Sequence, residues 1–166
     1  TSFALVEAYR ASGMWQLALE VCDAALEQTP KSTELLILKA EIHEGLAEYE
    51  KAAQVYEAAL PTGDTARIAA NNLAILFVDR LLSEENLRRA LDLTADFDTT
   101  EVPAFWDTRG WVLYQNRNYS AALPLLKKAV ASVNSPGIFH YHLGMTHYKL
   151  DDTKSAKEEL ELALGS

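Results

Sequence analysis

The apolar positions of this chain return at helical spacing, not at the alternation of a strand. Around Trp106, Gly110 and Leu113 they recur every three or four residues, the period of one helix face. A polar turn, Gln115-Asn116-Arg117-Asn118, then leads into Tyr119-Ser120-Ala121-Ala122, and the second stretch runs to about Ser132 before Asn134-Ser135-Pro136-Gly137 ends it. Pro136 suits the first turn of a following helix, where a missing N–H costs nothing. Applied along the whole chain, this reading predicts helix pairs at 1–12/15–28, 32–46/49–60, 64–82/84–97, 102–116/119–132 and 137–150/153–164.

The pairs repeat. Ala18, Cys22 and Ala25 return as Ala52, Tyr56 and Ala59, and Tyr9 returns as His43, each 34 positions on. Gly110, Ala122 and Ala129 return as Gly144, Ala156 and Ala163 at the same offset. A shared offset across several positions is the signature of a stacked repeat, in which each unit buries the apolar face of its neighbour. The third pair is out of phase, since Ala52 to Ala90 is 38 positions and Ala90 to Ala122 is 32. Its first helix is expected to be lengthened near Leu81-Leu82-Ser83-Glu84, with compensation after Phe97. The repeat boundaries are then 1–30, 31–63, 64–100, 101–135 and 136–166 of one domain. The chain starts at Thr1 and ends Leu-Gly-Ser straight after a helical pattern, which reads as a fragment of a longer protein.

Composition narrows the role. Hydrophobic residues make up 49% of the chain, enough for a packed core, and only 7 glycines and 5 prolines interrupt it. The formal charge of −9, with no cluster of Lys and Arg, speaks against nucleic acid, whose phosphates need clustered cations. No apolar run spans a bilayer and no signal segment is visible, so no membrane insertion is expected, and the compartment stays open between bacterial cytoplasm and periplasm. A single cysteine, Cys22, excludes an intramolecular disulfide.

The run Trp106-Asp107-Thr108-Arg109-Gly110-Trp111-Val112-Leu113-Tyr114 resembles the W-x₂-L-G-x₂-Y signature of the tetratricopeptide repeat (TPR) family, with Arg109 in place of leucine and the tyrosine, Tyr114, one position later. His140-Tyr141-His142-Leu143-Gly144-Met145-Thr146-His147-Tyr148 keeps Leu143-Gly144, and Pro30 closes the first unit where the family places a proline. The resemblance implies an all-α, right-handed superhelix, an α-solenoid of about five helix-turn-helix repeats whose first helices line a concave groove. It also implies a protein-interaction scaffold. The strings Asn71-Asn72-Leu73-Ala74, Asp107-Thr108-Arg109-Gly110-Trp111 and Tyr141-His142-Leu143-Gly144-Met145 are similar to bacterial TPR proteins linked to exopolysaccharide production and export.

Little here invites catalysis, and no enzyme activity or cofactor is expected. There is no Gly-rich phosphate loop, nucleophile elbow or zinc-protease motif. His140 and His142 are two apart on a helix and face different ways, while His147 lies about 10 Å along the axis from His140, so no metal is expected. His43 and His147 fill the slot of Tyr9 and read as packed imidazoles; Cys22 reads as a buried structural thiol. Arg109 is expected to form an ion pair with a neighbouring helix, Asp79 being one candidate.

The stripe beside the core stripe carries the binding candidates. On the fourth first helix it is Asp107, Trp111 and Tyr114; one repeat on, Tyr141, Met145 and Tyr148; further back, Asn71, Ile75 and Val78, then Ile37, Glu41 and Glu44. Asn72 and His142 lie beside them. The expected site is therefore Asn71, Asn72, Ile75, Asp107, Trp111, Tyr114, Tyr141, His142, Met145 and Tyr148, aromatic towards the carboxyl terminus and acidic towards the amino terminus. The alternative is that Trp111, Tyr114 and Met145 pack between neighbouring helices. The expected partner is a neutral, apolar or basic protein segment, with an envelope or exopolysaccharide assembly as one setting. Two other roles stay open: a homodimer through the last helix with Leu160, Ala163 and Leu164, or the regulatory or substrate-guiding part of a larger enzyme.

Overall fold

The computed structural model describes residues 1–60 and 65–165. Among them are ten α-helices and one 3-10 turn, with no strand, as the helical periodicity requires. They fall into two compact units, Thr1–Leu81 and Leu82–Ser166. Unit 1 holds α1 (Ser2–Ala11), α2 (Trp15–Gln28), α3 (Thr33–Gly45), α4 (Tyr49–Ala59) and α5 (Ala66–Asp79). Unit 2 holds α6 (Glu84–Leu93), the 3-10 turn Phe97–Thr99, α7 (Pro103–Gln115), α8 (Tyr119–Val130), α9 (Gly137–Lys149) and α10 (Thr153–Gly165).

Each unit is layered by antiparallel packing of neighbours in sequence: α1 on α2 and α3 on α4 in unit 1, α7 on α8 and α9 on α10 in unit 2. The first helices also touch one another, α1 with α3, α3 with α5, and α7 with α9. Their remaining stripes therefore share a face within each unit. In unit 1, Val6, Ala18, Cys22, Leu35, Leu38 and Ile42 form one buried cluster, with Tyr9, Trp15 and Leu26 packed against it. Each fully buried aliphatic side chain of that set contributes roughly 1.5–3 kcal/mol.

Helix ends follow from local chemistry. Ser32 caps α3 by accepting the Leu35 N–H at 3.3 Å, and Ser83 caps α6 by accepting the Asn86 N–H at 3.1 Å. Pro103 opens α7 at its first turn. The turns inside four of the five pairs, all but α5–α6, share one geometry. Gly13, Ala47, Arg117 and Asp151 all take positive φ, between 57° and 70°. The N–H of the following residue reaches back to the carbonyl five residues earlier: Met14 to Tyr9, Glu48 to His43, Asn118 to Leu113 and Asp152 to His147. That bond closes the helix end and reverses the chain.

The close approach of paired helices needs glycine. A Cβ on Gly110 would sit 2.6 Å from the Leu126 side chain, and one on Gly144 would sit 2.8 Å from that of Leu160. The third pair differs from its expected form. α5 ends at Asp79 instead of extending past Leu81, and the phase slip lies in the longer turn 80–83. The reason is local: the Arg80 and Leu81 N–H groups both return to the Leu76 carbonyl, and Ser83 is taken up as the cap of α6. α6 likewise stops at Leu93, and Phe97 begins a separate 3-10 turn, fully buried and stacked on Phe105 at 4.6 Å. No helix among the described residues is long and apolar enough to cross a membrane.

Candidate partner-binding surfaces

In unit 2, residues i, i+4 and i+7 of α7 place Asp107, Trp111 and Tyr114 on one stripe, and α9 lays Tyr141 and His142 against it. The result is a column of rings. Trp111 stacks on Tyr114 at 4.5 Å and 10° and on His142 at 4.1 Å and 14°, so it is sandwiched between two flat partners. Tyr119 of α8 leans on Tyr114 at 5.2 Å. His142 Nδ1 lies 2.9 and 3.0 Å from the Asp107 carboxylate oxygens; a carboxylate only accepts, which assigns the proton to Nδ1.

Asp107, Trp111, Tyr114 and His142 are buried, which is the packing alternative for Trp111 and Tyr114. Met145 is half-buried. Tyr141 is 38% exposed and Tyr148 59% exposed. The predicted residues of unit 2 thus divide into a buried floor, the half-buried Met145 and two exposed rings. Burial pushes the Tyr114 phenol above its ordinary range, with the neighbouring tyrosines adding to the effect, so it stays a neutral hydroxyl.

Unit 1 carries a polar strip in the corresponding place. Arg10 bridges Glu7, at 3.0 Å, and Glu41, at 3.3 Å. One turn along α3, the Glu44 carboxylate accepts the Tyr56 hydroxyl at 2.6 Å. Asn72 donates to the Tyr56 oxygen at 3.4 Å and accepts from Asn71 at 3.2 Å. Asn71 and Asn72 therefore join a ladder running from α3 through α4 to α5, with Ile75 half-buried one turn on. The Asn71 Oδ1 is buried without a hydrogen-bond partner among the described residues. Burial raises the Glu41 and Glu44 carboxyls above their ordinary value; Arg10 opposes this at Glu41, and the Tyr56 hydrogen bond and Arg80 oppose it at Glu44. Burial also raises Tyr56 far above the usual phenol range, with Glu44 reinforcing it.

Tyr56, Glu7 and Arg10 were not among the predicted site residues. The 34-residue match of Tyr56 to Cys22 marked it as core, which its ring is, but the hydroxyl reaches out to Glu44. Cys22 itself is buried, donates to the Leu35 carbonyl at 3.4 Å and has its thiol pushed up to about 11 by burial, so it is structural.

The histidines separate rather than converge. His43 and His147 are buried beside their turns and pair with Glu48 at 2.7 Å and Asp152 at 3.1 Å, the residues whose N–H groups close those turns. His140 lies between Ser135, at 2.8 Å, and Glu159, at 2.7 Å. Ser135 precedes the cap of α9 and His140 lies on its first turns, so the trio staples the turn to the helix and α9 to α10. Arg109 donates from Nη1 to the Leu91 carbonyl at 2.8 Å and to the Thr94 hydroxyl at 3.1 Å. It anchors α7 to α6 through neutral oxygens, and burial lowers its pKa from the ordinary guanidinium value.

Models of the tetratricopeptide repeat family match residues 9–73 and 108–166. The chain belongs to the tetratricopeptide repeat family. Solved structures agree on the fold. A thermophilic TPR protein of Thermus thermophilus is 19% identical, with a TM-score of 0.78 over 99% of this chain and 89% of that one. Pseudomonas aeruginosa pilF is 20% identical, with a TM-score of 0.78 over 99% and 74%. The APC/C hetero-tetramer Cut9-Hcn1 gives a TM-score of 0.83 at 16% identity, over 98% of this chain and 32% of the other. At these identities the likeness shows the all-α TPR solenoid fold. No curated protein matches the sequence. TPR arrays are protein-interaction modules, and this chain has that architecture.

Proposed function

We propose that unit 2 is a docking surface for an apolar or neutral segment of a partner protein, with Tyr141 and Tyr148 as its contacts. The observation that carries this reading is the Tyr114–Trp111–His142 column lying under the exposed Tyr141 ring. Exposed tyrosines on a packed, buried floor bind at low entropic cost, since two side-chain torsions fix each ring. Asp107 serves the floor by holding His142, and Met145 supplies an adaptable edge. The role is that of a scaffold, and the similarity of short strings favours a bacterial envelope or exopolysaccharide assembly as its setting.

A photo-crosslinking residue at Tyr148, introduced in the native host, tests this. It is expected to trap one defined partner segment, and Tyr141→Ala is expected to abolish the trap with helicity unchanged. Undiminished trapping in Tyr141→Ala, or a crosslink spread evenly over many proteins, overturns the assignment.

A second reading has its own observation. Gly137, Ile138, Tyr141, Leu160, Ala163 and Leu164 line an apolar hollow of about 620 Å³ at the end of unit 2, and Leu164 is 89% exposed. Self-association of two copies through α10 would cover it. Light scattering that shows only monomer at high concentration removes this reading.

A further inference from the structure

The unit 1 face has a chemistry that the aromatic surface of unit 2 lacks. Phe3, Ile37, Leu38, Thr65 and Ile68 floor a cavity of about 250 Å³ between α1, α3 and α5, where Phe3 and Ile68 are exposed to water. Glu7, Glu34, Arg10 and Glu41 rim the same cavity. Below it on α3, Glu44 continues the stripe Ile37, Glu41, Glu44 over about 10 Å.

The charges do not balance. Glu7, Glu34, Glu41 and Glu44 face this strip, against Arg10 on α1 and Arg80 near Glu44. Arg10 is already shared between Glu7 and Glu41, and Arg80 also lies over the Tyr49 ring at 5.5 Å. Glu41 and Glu44 lose hydration by burial and are only partly compensated. Beside them, among the described residues, the Asn71 Oδ1 is a buried acceptor with no donor and the Arg10 Nε a buried donor with no acceptor. The excess of carboxylates around an apolar hollow calls for a cationic donor attached to an apolar group.

We propose that the α1–α3–α5 face of unit 1 binds an extended basic segment, an apolar side chain entering the hollow between Phe3, Ile37 and Ile68 and an arginine or lysine two positions away pairing with Glu41 and Glu44. Residues two apart in an extended chain lie on one side and about 6.6 Å apart, which matches one turn of α3 from Ile37 to Glu41. The remaining length of an arginine side chain carries its guanidinium to Glu44. This site goes beyond the unit 2 reading and stands or falls separately from it.

The test is a fluorescence-anisotropy titration of the full chain with a short labelled peptide bearing Leu-Gly-Arg, beside the Leu-Gly-Glu and Leu-Gly-Gln peptides. The basic peptide is expected to bind at least tenfold more tightly than either, and to weaken as salt is raised. The Glu41→Gln/Glu44→Gln double variant, checked for retained helicity, is expected to lose at least tenfold in affinity; each glutamine keeps an oxygen for Arg10 or Tyr56. Tyr148→Ala is expected to change nothing. Equal binding of the three peptides, no binding of the basic one, or unchanged affinity in the double variant overturns the site. So does loss of binding in Tyr148→Ala, which would move the peptide to unit 2. A concentration-dependent dimer that the double variant disperses would give the surface to a second copy and also overturn it.

Discussion

The two units build the same repeat and finish its outer stripe with opposite materials. Unit 2 uses flat rings packed face to face, buried and without charged groups except for the Asp107–His142 pair. Unit 1 uses carboxylates, a guanidinium, a phenol and amides joined edge to edge. A stacked ring pair adds roughly 0.5–1.5 kcal/mol beyond its burial and does not depend on salt. A surface ion pair adds about 0–1 kcal/mol and weakens as salt rises. The lesson is that a common scaffold fixes where a stripe lies, while its chemistry is free to vary. Unit 2 holds its outer stripe through contact area, and unit 1 holds its outer stripe through ion pairs and hydrogen bonds.

The largest expected effect breaks the unit 2 floor. Trp111→Ala removes the ring between Tyr114 and His142 and should destabilise unit 2 by about 3–5 kcal/mol. Tyr56→Phe keeps the buried ring of unit 1 and loses only its hydroxyl, so about 1–2 kcal/mol is expected there. Native-state hydrogen exchange reads the two units separately: protection should fall in α7–α9 for the first variant and in α3–α5 for the second. Comparable losses in both would mean that the strips are not built on different principles.

The arrangement of helices was legible in the residues because it rests on two local signals, apolar spacing and turn chemistry. The pairs of α1–α4 and α7–α10 follow the 34-residue recurrence closely. α5 and α6 were less legible because the slip between Ala52 and Ala90 has no sequence mark that separates a longer helix from a longer turn; the hydrogen bonds of Arg80 and Leu81 to Leu76 decide it. The stripes were legible for the same reason as the helices, but exposure was not. Tyr114 and Tyr148 occupy the same stripe position one repeat apart, yet one is 9% exposed and the other 59%. That difference depends on the rings of Trp111 and Tyr119 that pack on Tyr114, contacts that the repeat spacing does not contain. Arg109 shows the converse: its odd place in the signature was visible, while its neutral partners on α6 and beyond were not.

A smaller effect sharpens the electrostatic side of the contrast. Glu44 has its folded value raised above the ordinary 4.5 by burial, so the folded state prefers it protonated. Its contribution to stability is then fully present below the unfolded value and is lost as pH rises through the folded one. Glu44→Gln keeps an acceptor for Tyr56 and removes the charge. It should raise the urea midpoint of unit 1 at pH 7, with the gain shrinking through the acid range and gone once pH is below 4.5. Unit 2 protection should not change. A gain that persists at acid pH would show that the carboxylate charge was not the cause.

The smallest effect compares the turns. Ala47 in unit 1 and Asp151 in unit 2 occupy the same left-handed position, at φ 57° and 61°. An alanine there crowds its Cβ against the backbone by about 1–2 kcal/mol, whereas Asp tolerates the region better through local hydrogen bonding. Glycine removes the crowding but makes the unfolded chain more flexible, which takes back part of the gain. Ala47→Gly should therefore stabilise unit 1 by about 0.5–1 kcal/mol, and Asp151→Gly should give unit 2 less than that; urea midpoints of the two variants check both. The turn of Gly13 already has this solution, at φ 70°. If both substitutions destabilise, the turn is held by the flanking bonds of Glu48 and Asp152 to their histidines more than by backbone geometry, and the two units would share that device after all.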